Sequence, residues 1–169
     1  MSIFVLGALM TFTLTSPAFD DGGNIPEIYT CEGEDLSPEL SWDHPPEGTE
    51  SFVLICDDHD VPKNLRPDGV WDHWVIFNLP KETRTLPKGV KDLPAGAVVG
   101  KNSWNRNDYG GPCPPDREHR YQFKLYALNE KLDLEGRATK KDVEKAMAGH
   151  ILEETLLMGR YDKKQRRLK

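Results

Sequence analysis

Long apolar runs are missing from this 169-residue chain. The most apolar opening segment, Ile3 to Met10, is too short to cross a bilayer, and no basic amphipathic helix suggests attachment to a membrane surface, so no stable membrane insertion is expected. A basic excess is missing too. The formal net charge is -6, whereas a nucleic-acid backbone selects a basic stripe, so nucleic acid is excluded as a partner. Only residues 162–169 form a basic tail, read as a solvated end. Cysteine is scarce: Cys31, Cys56 and Cys113 are an odd number without C-x-x-C spacing. That argues against a disulfide framework or a structural zinc site and points to a reduced, cytoplasmic chain. No G-x-G-x-x-G, P-loop, H-x-x-x-H or H-E-x-x-H spacing occurs, and no cofactor is expected.

The length suits one domain over residues 1–169 with a core of its own. Residues 1–9 read as an apolar N-terminal extension. Ile3 to Met10 with Ser16-Pro-Ala18 also has the form of a signal peptide and cleavage site, but no Lys or Arg precedes it. Thr11-Phe-Thr-Leu-Thr15 alternates as a half-buried strand does, and a retained strand is the favoured reading.

What is present is strand and turn. Ser51-Phe-Val-Leu-Ile-Cys56 is a continuous apolar run of strand length, expected to be buried on both faces. Trp74 to Leu79 and Tyr121 to Leu128 read as two further strands, Ile28 to Cys31 as at most a short one, and Pro87 to Asn107 as largely irregular. One helix is expected after Thr139, whose spacing to Asp142 is that of a capping arrangement. Val143, Met147, Ile151 and Glu154 follow at helical intervals, with His150 and Leu157 widening the face. The pattern predicts a mostly β protein, an antiparallel β-sandwich with peripheral α-helices.

Three polar segments stand at the ends of these strands: Asp57-Asp-His-Asp60, His73 in Gly69-Val-Trp-Asp-His-Trp74, and Gly110-Gly-Pro-Cys-Pro-Pro115 leading to His119 and Tyr121. If Asp58, Asp60, His73 and His119 converge, the carboxylates favour protonated imidazoles, and the His N–H groups with loop amides bind an oxyanion such as a phosphate monoester. Gly110 and Gly111 let the backbone approach such a group, the prolines stiffen the loop, and Tyr121 adds a donor. Competing readings stay open at this point: turn-capping aspartates and structural histidines, a two-His, two-Asp metal site, or hydrolysis with Cys113 or Ser103 near His119.

Taken together, Asp58-His-Asp60-Val-Pro62, Gly69-Val-Trp-Asp-His73-Trp74, Gly111-Pro-Cys-Pro-Pro115 and His119-Arg-Tyr121 resemble the signature segments of the phosphatidylethanolamine-binding protein family, in its bacterial and archaeal branch. Tyr29-Thr-Cys-Glu-Gly33, Asp35-Leu-Ser-Pro38, Leu40-Ser-Trp42 and Ala146 to Leu152 extend the likeness over nearly the whole chain from Phe12. The resemblance implies a β-sandwich with a small anion pocket for phosphate, carboxylate or a phosphoethanolamine head group, formed by Asp58, Asp60, His73, Pro112, His119 and Tyr121; the residue reading adds Gly111. It implies a non-enzymatic binding or regulatory protein, with inhibition of a serine protease or kinase through a loop such as Asn102 to Asp108 as the alternative. It also implies a homodimer, in which residues 1–9 find burial. His59 stands where the family has proline, and Val61 where it has alanine, which bears on ligand preference rather than on fold.

Overall fold

The computed structural model describes residues 10–163. The expected extension at 1–9 and residues 164–169 of the basic tail lie outside them. Strands β1 (Thr13–Thr15), β2 (Leu40–Asp43) and β5 (Thr85–Leu86) make a small sheet in the order β1-β2-β5. Strands β3 (Ser51–Asp58), β4 (Trp71–Pro80), β6 (Val98–Val99), β7 (His119–Leu128) and β8 (Ile151–Tyr161) make a larger one in the order β6-β4-β3-β7-β8. Neighbouring strands in both sheets run antiparallel.

Strand alternation divides the core in two. Phe52, Leu54 and Cys56 of β3 pack with Leu14, Leu40 and Trp42 of the small sheet and with Phe123 and Leu125 of β7. The intervening Val53 and Ile55 pack with Val75, Phe77, Tyr126 and the helix residues Val143 and Met147. The strand lies between two apolar layers, so every one of its eight residues is buried, as a continuous apolar run requires.

The single helix among the described residues, α1 (Lys140–Met147), begins with the expected cap. The Thr139 hydroxyl accepts the Asp142 N–H, and the Asp142 carboxylate accepts the Thr139 N–H. It ends two turns earlier than the apolar spacing predicts. Gly149 takes a left-handed conformation, φ 85°, and Ile151 onward becomes β8. The reason is tertiary: β7 exposes an unpaired edge, and a second strand along its full length satisfies those backbone groups. The Ile28 region is likewise not a strand but a 3-10 turn, Glu27–Tyr29. Pro87 to Asn107 is irregular apart from the two-residue β6.

The odd number of cysteines does not leave the chain reduced. Cys31 and Cys113, 82 residues apart, form a disulfide, and the buried Cys56 is the odd one left over. The pairing is made by the fold, which brings two turns together that the sequence keeps apart, and cysteine spacing therefore no longer supports a cytoplasmic location. Among the described residues no helix is long and apolar enough to cross a membrane.

Candidate functional site

Asp57 and Asp58 are adjacent at the end of β3 and therefore point to opposite faces of the sheet. Asp58 falls on the sandwich side with Tyr121, its register partner on β7. Asp57 falls on the helix side, where its carboxylate takes Lys124 Nζ at 2.8 Å, Lys140 Nζ at 2.9 Å and His59 Nε2 at 3.1 Å. The unusual His59 is thus spent on the far side of the sheet from Asp58. On β4 the register against β3 passes from Trp74 opposite Cys56 to Asp72 opposite Asp57, leaving His73 as the extra residue of a bulge. Through that bulge Trp71 pairs with Asp58, while Asp72 faces Lys140 at 2.7 Å. His73 meets the Tyr121 ring, centroid to centroid 5.2 Å.

The Gly110–Pro115 loop closes over this strand end. Gly110 N–H donates to the His73 carbonyl, and the His73 ring Nδ1 returns to the Gly110 carbonyl at 2.6 Å. Gly111 N–H donates to Asp35 Oδ1 at 2.7 Å, and Cys31 N–H to the Pro112 carbonyl at 3.1 Å. Both glycines are needed for close approach, though not for approach of a ligand. A Cβ at Gly110 would collide with the Trp104 ring, and one at Gly111 with the Tyr29 carbonyl and the Asp35 carboxylate.

These segments enclose a cavity of about 390 Å³. Of the seven residues expected from the sequence, Asp58, His73, Gly111 and Tyr121 line it. Asp60, Pro112 and His119 stand behind its wall. Asp60 receives the Arg120 guanidinium at 2.8 and 2.9 Å, Pro112 supplies the carbonyl to Cys31, and His119 is fully buried against Asp58. The remaining wall is apolar and aromatic: Val61, Leu65, Trp71, Trp104, Pro114 and Pro115, with the Cys31–Cys113 disulfide, Asp35 and Arg106 beside them. Trp104 stands edge-on to both Trp71 and His73, each at 5.2 Å. Arg66 lies over Trp71 and Arg106 over Trp104.

The two histidines differ in electrostatics. Burial lowers the His73 pKa despite the Gly110 carbonyl and the nearby aspartates, so the ring is neutral near pH 7, with its proton on Nδ1 toward Gly110. Burial opposes charge on His119 as well. Hydrogen bonds to Asp58, at 2.6 Å, and Asp116, at 2.8 Å, together outweigh it and raise its pKa. The expectation of two protonated imidazoles holds for the direction of His119 and not for His73. Burial, then Asp58, pushes the Tyr121 hydroxyl far up, so it keeps its proton as a donor. Asp60 is held down at about 2, chiefly by its hydrogen bonds from Arg120.

Asp58 shows that a turn role and a site role coexist: one oxygen accepts the Asp60 N–H at 2.7 Å and the other pairs with His119. A metal site does not follow from this set, because His119 and Asp58 bind each other and His73 Nδ1 is held by Gly110. Cys113 in its disulfide offers no nucleophile, and the Ser103 hydroxyl engages the Asp72 N–H.

The family model for phosphatidylethanolamine-binding proteins matches residues 15–162. The chain belongs to the phosphatidylethanolamine-binding protein family. A UPF0098 protein of Methanothermobacter thermautotrophicus is 50% identical over 151 residues, covering 88% of this chain and 97% of that one. The crystal structure of a proposed family homologue from Chlamydia trachomatis superposes with a TM-score of 0.86 at 42% identity, covering 90% of this chain and 98% of that chain. An E. coli member gives 0.84 at 30% identity over 92% of this chain and all of that one. Membership in the bacterial and archaeal branch supports a binding protein in general terms.

What the sequence reading left out of the pocket is its aromatic and cationic rim. A signal existed for Trp104: a large apolar ring inside the polar run Asn102 to Asp108 has no strand face to occupy. A signal existed for the disulfide too, since Cys31 and Cys113 sit in turn-rich segments and Cys56 sits inside a buried strand.

Proposed function

We propose that this member of the phosphatidylethanolamine-binding protein family is a non-enzymatic binding protein whose cavity holds a small oxyanion, the phosphate or carboxylate of a metabolite, with the remainder of the ligand against Trp71, Trp104 and Leu65. One observation carries the reading. The Tyr121 hydroxyl and the Trp71 indole N–H, both in residues of the cavity wall, are buried and find no acceptor inside the protein; the Cys113 amide stands beside the Tyr121 oxygen as a donor. Buried donors left over by the fold call for an acceptor, and the Arg106 guanidinium, which pairs with Asp108 at 3.1 Å through Nε, stands at the same wall. The Asp58 charge, which repels an anion, is offset by His119.

Phosphate titrated calorimetrically at pH 6 and pH 8 tests this. An anion raises the His73 pKa on binding. The favourable contribution of that proton is complete below the free-protein value, itself below 6.5, and is lost as pH rises through the bound-state value. His73 by itself therefore makes affinity fall as pH rises from 6 to 8, by at most about tenfold per pH unit for one proton, and a parallel titration of sulfate, whose charge is constant over that range, separates this from the second ionisation of phosphate. Tyr121→Phe loses a charge-assisted hydrogen bond, weakening phosphate roughly tenfold or more, with little change in stability because that hydroxyl has no internal acceptor. Absence of binding at both pH values would remove the oxyanion reading.

Inhibition of a serine protease or kinase is the second reading, favoured by the rigidity of Asn102 to Asp108. Asn102 accepts from the Trp104 and Arg106 N–H groups and donates to Asp108, a preorganised loop of the kind that binds with little ordering entropy. Inhibition retained in Tyr121→Phe and lost in Arg106→Ala would support it.

A further inference from the structure

Strand β8 (Ile151–Tyr161) is the edge of the larger sheet, and its two halves differ in what lies beside them. The segment from Asp21 to Ile25 covers the second half. Met158 N–H donates to Asp21 Oδ1 and its carbonyl accepts from Gly22 N–H; Arg160 N–H donates to the Gly23 carbonyl and its own carbonyl accepts from Ile25 N–H. Along an antiparallel edge every second residue directs its backbone groups outward, so Leu156 and Glu154, next in that series, direct theirs away from β7. Among the described residues these groups have no backbone partner. The small sheet reaches this stretch through a side chain, Leu14 N–H donating to the Thr155 hydroxyl at 3.3 Å.

The open half is both apolar and acidic. Met10, Leu65, Trp104, Ile151, Leu152 and Leu156 are the exposed large apolar side chains among the described residues, and the last three are here. Glu153 and Glu154 stand between them, exposed and without an ion-pair partner among the described residues. Glu144 of α1 adds to the negative charge: burial first, then Glu154, Asp57 and Glu144, push the hydroxyl of Tyr126, the register partner of Glu154, up to about 12.

We propose that the Ile151–Leu156 edge of β8 binds an extended segment of a partner protein, which adds to the sheet as a further strand and carries a basic residue between two apolar ones. Main-chain hydrogen bonds supply affinity, and side chains supply the choice of partner. A strand laid alongside sets one side chain opposite Glu154, where Lys or Arg fits, and its second neighbours opposite Leu152 and Leu156, where apolar residues fit. The same charges act against a second copy. Two β8 edges paired about a two-fold axis, in the register that sets Leu152 opposite Leu156, set Glu154 opposite its own copy, and like charges directly opposite are destabilising. Acidic residues on an open edge thus discourage self-pairing and leave the backbone to a basic strand. The surface is separate from the cavity and independent of the oxyanion reading: it pairs with Lys124 to Leu128 of β7, whereas Tyr121 of the cavity wall pairs with Gly159.

The probe is a fluorescein-labelled Val-Leu-Thr-Lys-Lys-Leu-Val peptide amide, whose lysines fall opposite Glu153 and Glu154 in the antiparallel register, titrated with the full chain and followed by fluorescence anisotropy. Binding is expected, weaker at high salt, lost when the strand-facing peptide amides are N-methylated, and about tenfold weaker for Glu154→Lys. A peptide with Glu in place of both lysines should reverse the preference and bind Glu154→Lys better than wild type. Glu154 is exposed, so the variant should keep its fold, checked by an unchanged circular dichroism spectrum. No binding to wild type, or binding indifferent to N-methylation or to the charge swap, would overturn the proposal. Two other occupants would overturn it as well. Peptide binding that appears only in a chain starting at Met10 assigns the edge to residues 1–9, and a dimer in light scattering that Leu156→Lys dissociates assigns it to a second copy.

Discussion

Replacing His119 with alanine is expected to lower stability by about 3–5 kcal/mol, so that binding in this variant has to be read alongside its folding. The side chain is fully buried, Asp58 is almost so, and the two meet at 2.6 Å. Removing the imidazole leaves the Asp58 carboxylate in a site that has little water to solvate it, and the loss of one partner of a buried pair is where large effects arise. In a domain of this size the melting temperature should fall on the order of 10 °C, measurable by calorimetry. The pH dependence identifies the cause. Because the folded His119 pKa is raised above 6.5, its contribution is complete below 6.5 and fades as pH rises through the folded value. Wild type should therefore lose part of its advantage over the alanine variant as pH rises above 6.5. A constant difference between pH 6 and pH 9 would show that packing, not the ion pair, is what His119 supplies.

Asp57→Ala is expected to be as damaging while sparing the cavity. Its carboxylate, with no exposed surface, neutralises Lys124 and Lys140, which are themselves 20% and 12% exposed. Truncation strands two ammonium groups between the sheet and α1, although Asp72 keeps a hold on Lys140. The expected loss is about 3 kcal/mol in urea denaturation, with phosphate affinity little changed because the cluster is on the opposite face from Asp58. Burial raises the Asp57 pKa, but the attraction of Lys140 and the Lys124 hydrogen bond more than offset it, and the net value lies below 3.8. Its stabilisation is present above the ordinary carboxylate value and disappears as pH falls through the folded one, so the variant should also lose part of the steepness of acid unfolding below pH 4. Recovery of stability on adding Lys124→Met and Lys140→Met would confirm that stranded charge is the origin; no recovery would assign the loss to packing.

Much of this arrangement was legible in the residues. The run Ser51 to Cys56 demanded burial on two sides, and it received a sheet core on one and α1 on the other. The Thr139–Asp142 cap marked the start of the helix correctly because capping depends on residues three apart. The end of the helix was not legible. Val143, Met147 and Ile151 keep helical spacing, yet the residues from Ile151 serve the free edge of β7, a demand set far away in the sequence. The pocket residues divide in the same way. Asp58, His73, Gly111 and Tyr121 reached the cavity, whereas Asp60, Pro112 and His119 became its support, because the same polar residue types serve both purposes.

By itself the sequence determined the strand-rich class, the two-sided burial of β3, the cap of α1, the segments that meet at the cavity and the family to which they belong. These come from periodicity, turn chemistry and local spacing, which act over a few residues. The tertiary structure alone decided which of the adjacent aspartates faces the cavity, because it sets which face of β3 meets the small sheet: Asp58 follows Phe52, Leu54 and Cys56 on that side, and Asp57 follows Val53 and Ile55 toward α1. It decided the different protonation of the two histidines, because burial and partners, not residue type, fix a pKa. It also joined Cys31 to Cys113, because only the folded chain brings those two turns within bonding distance.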